Sequence, residues 1–261
     1  MKATHFYETI CLNTFNNVTA AGINNLFVGL YATSPGDSGT AGIEIQYDGY
    51  VRQKIEFDAP YEDGGGLAIT NSNDLLWAAP SNNVGQARFV GISDSSVFGS
   101  GNMLLYGELT IPLEIREGQQ PNFYIGDATY FFLGCYTKEF KTRCLNILRG
   151  QNMQGFSSHM ALFDGDPENG GAELSGPTYA RPNVTFNSPA VQVAGYSEIT
   201  NTNEVRFPRP STIWGNKAYC GIMNQVIGGQ AMTKADFPYP EVLQPGYIPS
   251  VGAGDIKLNL N

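Results

Sequence analysis

The chain has 261 residues with a formal net charge of −9, only 15% charged residues, and 31 glycines and 15 prolines. Since 42% of the residues are hydrophobic and can form a sizeable core, a disordered chain, a collagen-like chain and a charge-rich coiled coil are excluded. The 15 lysines and arginines are scattered along this acidic chain, which argues against nucleic acid as a partner.

The predicted elements begin with a short helix whose apolar positions follow a helical period. These positions are Phe6, Ile10, Leu12 and Phe15, and the helix ends at Asn16-Asn17. Short strands separated by glycine, proline and asparagine follow at 26–31, 51–57, 87–92, 103–111, 122–125 and 130–133. A second helix with apolar Phe140, Cys144, Leu145 and Leu148 ends at Gly150 and begins a similar series.

Strand 51–57 shows the alternation expected of a half-buried strand. It predicts a buried face of Val51, Ile55 and Phe57 and an outer face of Arg52, Lys54 and Glu56. We expect the equivalent Val184 and Phe186 to be buried as well.

The chain repeats itself at an offset close to 130 residues. Cys11 and Cys144 both lie in T-x-C-L-N segments, I-T-N-x-N occurs at 69–73 and 199–203, and Y-x-R occurs at 50–52 and 179–181. The order is collinear, so the sequence predicts two copies of one domain, at 1–134 and 135–261. The expected fold is mainly β, with two tandem antiparallel β-sandwich (jelly-roll-like) domains, each preceded by a short α-helix.

The chain begins without the apolar stretch of a signal peptide, and no stretch approaches the length of a membrane span. We therefore expect it to be made and folded in a cytosol, with no membrane partner. The four cysteines form no C-x-x-C pair, which favours buried reduced thiols.

Catalytic motifs are absent from the sequence, so we predict no enzyme, no catalytic residue and no cofactor. Asp164 and Asp166 begin a segment like a calcium loop, but Asn169 and Ser175 replace the glycine and glutamate that an EF-hand loop needs. A solvated turn is the alternative interpretation of this weak metal candidate.

Two acidic and basic pairs recur in both copies, Glu44 with Arg52 and Glu173 with Arg181, each eight residues apart. A structural pair across a hairpin is the favoured interpretation, and a surface patch for a protein or a sugar is the alternative. A possible glycan platform consists of Tyr47, Tyr50, Tyr61 and Trp77, although such aromatic residues also fill the cores of β-sandwiches.

Several segments together resemble a family of tailed-bacteriophage virion proteins labelled tail-fibre-like or structural. The first copy carries L-Y-A-T-S-P at 30–35, G-Y-V-R-Q at 49–53, I-T-N at 69–71 and G-N-M-L-L-Y-G at 101–107. The second copy carries Y-A-R at 179–181 and Trp214-Gly215, but it departs from the family pattern at Asn224-Gln225, where an aspartate is expected.

The resemblance implies a non-enzymatic structural component of a tailed-phage virion, either a capsid decoration protein or a tail or fibre-associated protein. Its implied partners are other virion proteins, major capsid or tail subunits, with multi-copy assembly as a homo-oligomer on the particle. A receptor-binding module for host-surface glycan is the alternative, and a glycosidase that uses loop carboxylates is a third hypothesis.

Overall fold

The computed structural model describes residues 1–64, 66–132, 136–193 and 195–260. The predicted domain junction at 134 and 135 lies outside these residues, as does Cys135. Helix α1 spans His5–Leu12 and continues into a 3-10 turn at Asn13–Phe15, while α2 spans Lys138–Ile147. A residue with positive φ ends each helical segment, Asn17 (φ 60°) after the first and Gly150 (φ 78°) after the second.

The strands of the first copy are β1 Lys2–Ala3, β2 Leu26–Tyr31, β3 Gln53–Ile55, β4 Tyr61–Asp63, β5 Gly66–Thr70, β6 Leu75–Leu76, β7 Gly85–Ser93, β8 Met103–Ile115, β9 Asn122–Phe123 and β10 Thr129–Phe132. Those of the second are β11 Ser158–Phe163, β12 Asn183–Val184, β13 Val191–Val193, β14 Tyr196–Thr200, β15 Val205–Arg206, β16 Asn216–Met223, β17 Ala235–Val242, β18 Ser250–Val251 and β19 Lys257–Leu260.

The two copies share one sheet arrangement, and the sheet pairings are antiparallel. In the first copy a large sheet has the order β1-β8-β7-β2-β3, and a smaller one has the order β10-β5-β4. The second copy repeats them as β12-β11-β16-β17 and β13-β14-β19, with β6-β9 and β15-β18 as equivalent short pairs. The predicted mainly β fold in two tandem copies is therefore confirmed.

Buried asparagines explain the repeated I-T-N-x-N segments. The amide oxygen of Asn71 accepts hydrogen bonds from the backbone N–H groups of Gly126 and Ala128, and its NH2 group donates to the carbonyls of Asn73 and Tyr124. Asn201 makes the same four kinds of contact in the second copy. Each asparagine thus joins β5 or β14 to the loop before the last strand of its copy, and its hydrogen-bonding capacity is filled.

Two predicted faces need correction. Ile55, Phe57, Val184 and Phe186 are buried as predicted, but Val51 is exposed and Arg52 is buried. Strand β3 begins only at Gln53, so alternation does not extend back to residue 51.

The first helix also differs from its predicted stripe. Tyr7, Glu8, Cys11 and Leu12 form the buried face of α1, whereas Phe6 is exposed. The second helix agrees with the prediction, because Phe140, Cys144, Leu145 and Leu148 are all buried.

The helices lie between the two copies. Helix α1 contacts β8 of its own copy and β14 and β19 of the second, while α2 contacts β5 of the first copy. One hydrophobic core accordingly contains buried residues of both copies and both helices. Each helix covers a small sheet that belongs to the other copy.

Candidate functional site

The Glu44–Arg52 pair is buried beside the large sheet of the first copy. Strand β2 and the segment before β3 bring the two residues together, so that Arg52 Nε lies 2.8 Å from Glu44 Oε1 and Nη2 lies 2.7 Å from Oε2. This two-point geometry is the strongest form of an arginine–carboxylate contact. Hydrogen bonding to Glu44 raises the pKa of Arg52, against the effect of its burial, so the guanidinium stays charged.

A tyrosine supports the carboxylate from the sheet side. The hydroxyl of Tyr50 donates to Glu44 Oε1 at 3.2 Å and accepts from the backbone N–H of Leu30 in β2. Burial and the adjacent Glu44 raise the pKa of Tyr50, which keeps the hydroxyl protonated as a donor.

The second copy repeats this arrangement residue by residue. Arg181 forms the same two-point contact with Glu173, and the Tyr179 hydroxyl donates to Glu173 Oε1 at 2.9 Å and accepts from the N–H of Leu162. The Glu173 side chain is 25% exposed, against 5% for Glu44. A methyl group at Gly29 would lie 2.7 Å from Glu44 Oε1, and Ala161 occupies the equivalent position beside Glu173.

Each arginine also holds a loop. Nη1 of Arg52 donates to the carbonyls of Ser95 and Ser100, both at 2.9 Å. Nη1 of Arg181 donates to the carbonyls of Gln225 and Gly228, at 2.7 and 2.6 Å. We call residues 95–100 loop A and residues 225–229 loop B; each follows the second strand of its large sheet, β7 or β16.

Both loops present apolar side chains to solvent. Val97 and Phe98 of loop A are 60% and 45% exposed, and Val226 and Ile227 of loop B are 55% and 83% exposed. Beside loop B lies a cavity of about 420 Å³ that Leu174, Tyr179 and both apolar residues of the loop help to line. Paired exposed apolar groups of this kind mark a contact surface more often than an accident of folding.

The four residues of the predicted glycan platform do not share one surface. Trp77 is fully buried and cannot stack on a sugar. Tyr47 packs edge-on against Tyr50 at 5.4 Å between ring centroids and donates to the carbonyl of Ala78. Tyr61 is exposed on β4, in the small sheet. The platform expectation therefore needs correction, because the core takes Trp77 and the ion-pair site takes the Tyr50 hydroxyl.

Asp164 and Asp166 both bind groups of their own chain. Asp164 accepts from the backbone N–H of Ala172, and Asp166 Oδ2 accepts from Lys234 Nζ at 2.7 Å. Partial burial opposes ionisation of Asp166, but the hydrogen bond from Lys234 outweighs it and lowers the pKa of this carboxyl. Among the described residues, no group of three or more histidine, cysteine or acidic side chains has the spacing to hold a metal ion.

Sequence reasoning missed a cluster of His5, Glu8 and Ser197 between the copies. His5 Nδ1 lies 3.2 Å from Glu8 Oε2 and 3.3 Å from Ser197 Oγ. Both contacts use the same ring nitrogen and Ser197 is fully buried, so the cluster cannot relay a proton to a substrate. Its only sequence signal is a glutamate on the inner face of a helix.

None of the helices in the described part of the chain has the length and apolar character needed to span a membrane.

Comparison with known proteins gives one family. A family model described as podophage GP4 fiber I protein gp80 matches residues 2–130 and, a second time, residues 137–259. No curated protein matches the chain significantly. The two matches confirm the internal duplication and the resemblance to a structural protein of the phage virion. The chain therefore belongs to the podophage GP4 fiber I protein gp80 family, of which it contains two tandem copies.

Proposed function

We propose that the chain is a non-enzymatic component of the phage particle that is associated with a tail fibre and acts in multiple copies through contacts with other virion proteins. The observation that carries this proposal is the pair of exposed apolar loops, each held by the same buried ion pair. Membership of a fibre protein family supports the fibre over the capsid as its location.

The buried arginines suit loops A and B to binding. A loop that is already ordered loses less conformational entropy when it binds than a free loop does. The ion pair and two carbonyl contacts order each loop, while the apolar tip remains available to bury against a neighbouring subunit. Two linked contacts also hold more firmly than one, because the second forms at a high effective concentration.

Loop variants incorporated into particles test the proposal. We expect the combined variant Phe98→Ser and Ile227→Ser to fold like the wild type but to be lost from purified particles, because the apolar contacts with neighbours are removed. The matched control changes exposed apolar residues outside the loops, Ile125→Ser and Tyr247→Ser, and should be incorporated normally. Quantitative mass spectrometry of particles gives the copy number of each variant.

Electron cryo-microscopy of wild-type particles tests the location. Density for the chain at the tail fibre in several copies is the expected result. Density on the capsid lattice would instead identify a decoration protein and would refute fibre association. Binding of the purified protein to host glycans, with normal incorporation of the loop variant, would favour the receptor-binding alternative.

A further inference from the structure

The segments that follow α1 and α2 contact each other reciprocally. Ala20 and Met153, which are 133 residues apart in the chain, exchange two backbone hydrogen bonds of 2.9 Å. Ile23 N–H donates to the Ile147 carbonyl, and Phe156 N–H donates to the Thr14 carbonyl. Each partner in the second bond lies 133 residues from the corresponding partner in the first.

Side-chain contacts show the same reciprocity. The N–H of Gly22 donates to Asn152 Oδ1 at 2.8 Å, and the N–H of Gly155 donates to Thr19 Oγ1 at 3.3 Å. These pairs also differ by 133 residues. Reciprocal contacts between equivalent positions are what a twofold interface between two identical chains has.

Two glycines allow the backbones to touch. A Cβ on Gly22 would lie 2.1 Å from the carbonyl carbon of Gly150, and one on Gly155 would lie 2.4 Å from that of Asn17. Both contacts are between the copies, and Gly150 is the equivalent of Asn17. A side chain at either glycine would push the copies apart.

Buried aromatic and thiol groups fill the centre of the interface. Phe15 packs against Phe140, Phe156 and Phe186 of the second copy with ring centroids 4.9 to 5.9 Å apart. The fully buried Cys11 and Cys144, at equivalent helix positions, are in hydrogen-bond contact with each other.

We infer that this helix layer is a docking surface whose partner is a second copy of the same repeat, and that the chain is a fused twofold dimer. The two copies hold each other through the layer and not through the covalent link between them. This inference does not depend on the proposed role in the particle.

Cleavage of the folded full chain tests the inference. A protease site is inserted between Phe132 and Tyr136, and the purified protein is cut and analysed by native mass spectrometry and size exclusion at micromolar concentration. We expect both fragments to remain in one 1:1 complex the size of the uncut chain. Separation into two fragments would overturn the inference.

A glycine variant makes the test specific to the layer. Gly22→Ala in the cleavable chain should weaken the association of the fragments about tenfold or more, because its methyl group meets backbone of the other copy. Gly165→Ala is the matched control, since its Cβ would meet only Gly171 of the same copy at 3.3 Å and should leave the affinity unchanged. Equal affinities for the two variants would contradict the assigned surface. If Gly22→Ala fails to fold, the result for the cleaved wild type still decides.

Discussion

At the scale of single residues, Glu8 carries an acidic group into the layer between the copies. Burial raises the pKa of its carboxyl above the ordinary value of 4.5, and hydrogen bonds from Ser197 and His5 offset this only in part. The other titratable groups that face it are Tyr106 and Tyr130, whose pKa values burial also raises. Glu8 therefore opposes folding when it is ionised.

This sign predicts how stability changes with pH. The folded state binds the Glu8 proton more tightly than the unfolded chain, so its contribution to the free energy of unfolding falls as the pH rises from about 4.5 through the raised pKa. Glu8→Gln should remove this contribution, which urea midpoints measured between pH 4.5 and 7 would show. Glu56→Gln, at an exposed side chain, should keep the wild-type dependence; the same dependence in Glu8→Gln would contradict the prediction.

The buried asparagines predict a second residue-scale effect. Asn71→Ala leaves the N–H groups of Gly126 and Ala128 without their side-chain acceptor, and we expect it to lower the free energy of unfolding by about 2–4 kcal/mol. Asn83→Ala removes one exposed contact, to the N–H of Glu117, and should cost about 0.5 kcal/mol or less. Urea denaturation compares the two, and similar losses would show that Asn71 is not a clamp.

At the scale of elements, each ion pair connects a strand edge to a loop that hydrogen bonds within the sheet do not hold. Breaking a buried pair leaves an uncompensated charge, and replacing both partners by apolar groups avoids that cost. The two copies differ in this respect, because Glu173 is more exposed than Glu44. Water can therefore compensate the second carboxylate better than the first.

Arg52→Met should lower the free energy of unfolding by about 3–5 kcal/mol, because Glu44 remains buried without a partner. Arg181→Met should cost less. Hydrogen exchange should show faster exchange in loop A for the first variant and in loop B for the second. The control Lys54→Met breaks an exposed pair with Glu56 and should cost about 1 kcal/mol or less.

A double variant completes this test. Glu44→Leu combined with Arg52→Met should recover most of the stability lost in Arg52→Met, while loop A stays rapidly exchanging. Recovery of slow exchange in loop A would show that the arginine does not hold the loop.

At the scale of the whole molecule, the shared core predicts that both copies unfold together. The chain has two tryptophans, and each copy buries one, Trp77 and Trp214. In Trp214→Phe the fluorescence reports the first copy, and in Trp77→Phe it reports the second. Within each variant, the fluorescence midpoint in urea should coincide with the midpoint from circular dichroism, which reports both copies. Two separate midpoints would show that the copies unfold independently.

The sequence by itself determined the repeat, the mainly β fold and the family. These depend on local patterns: β2 begins and ends where predicted, at Leu26 and Tyr31, and the apolar stripe of α2 is the buried one. The I-T-N-x-N segments repeat because one buried asparagine per copy fills all its hydrogen bonds at that position. Such patterns are read within a few residues, and no distant partner is needed to recognise them.

Only the tertiary structure decided which surfaces meet. Alternation placed Val51 inside and Arg52 outside, but the carbonyls of loop A and the carboxylate of Glu44 bind the guanidinium, and burial follows the partner. The amphipathic pattern of α1 does not specify that the small sheet of the other copy covers it, nor that Glu8 lies beneath that sheet. A sequence pattern reports that a side chain needs a partner; the partner itself is fixed by contacts between residues more than a hundred positions apart.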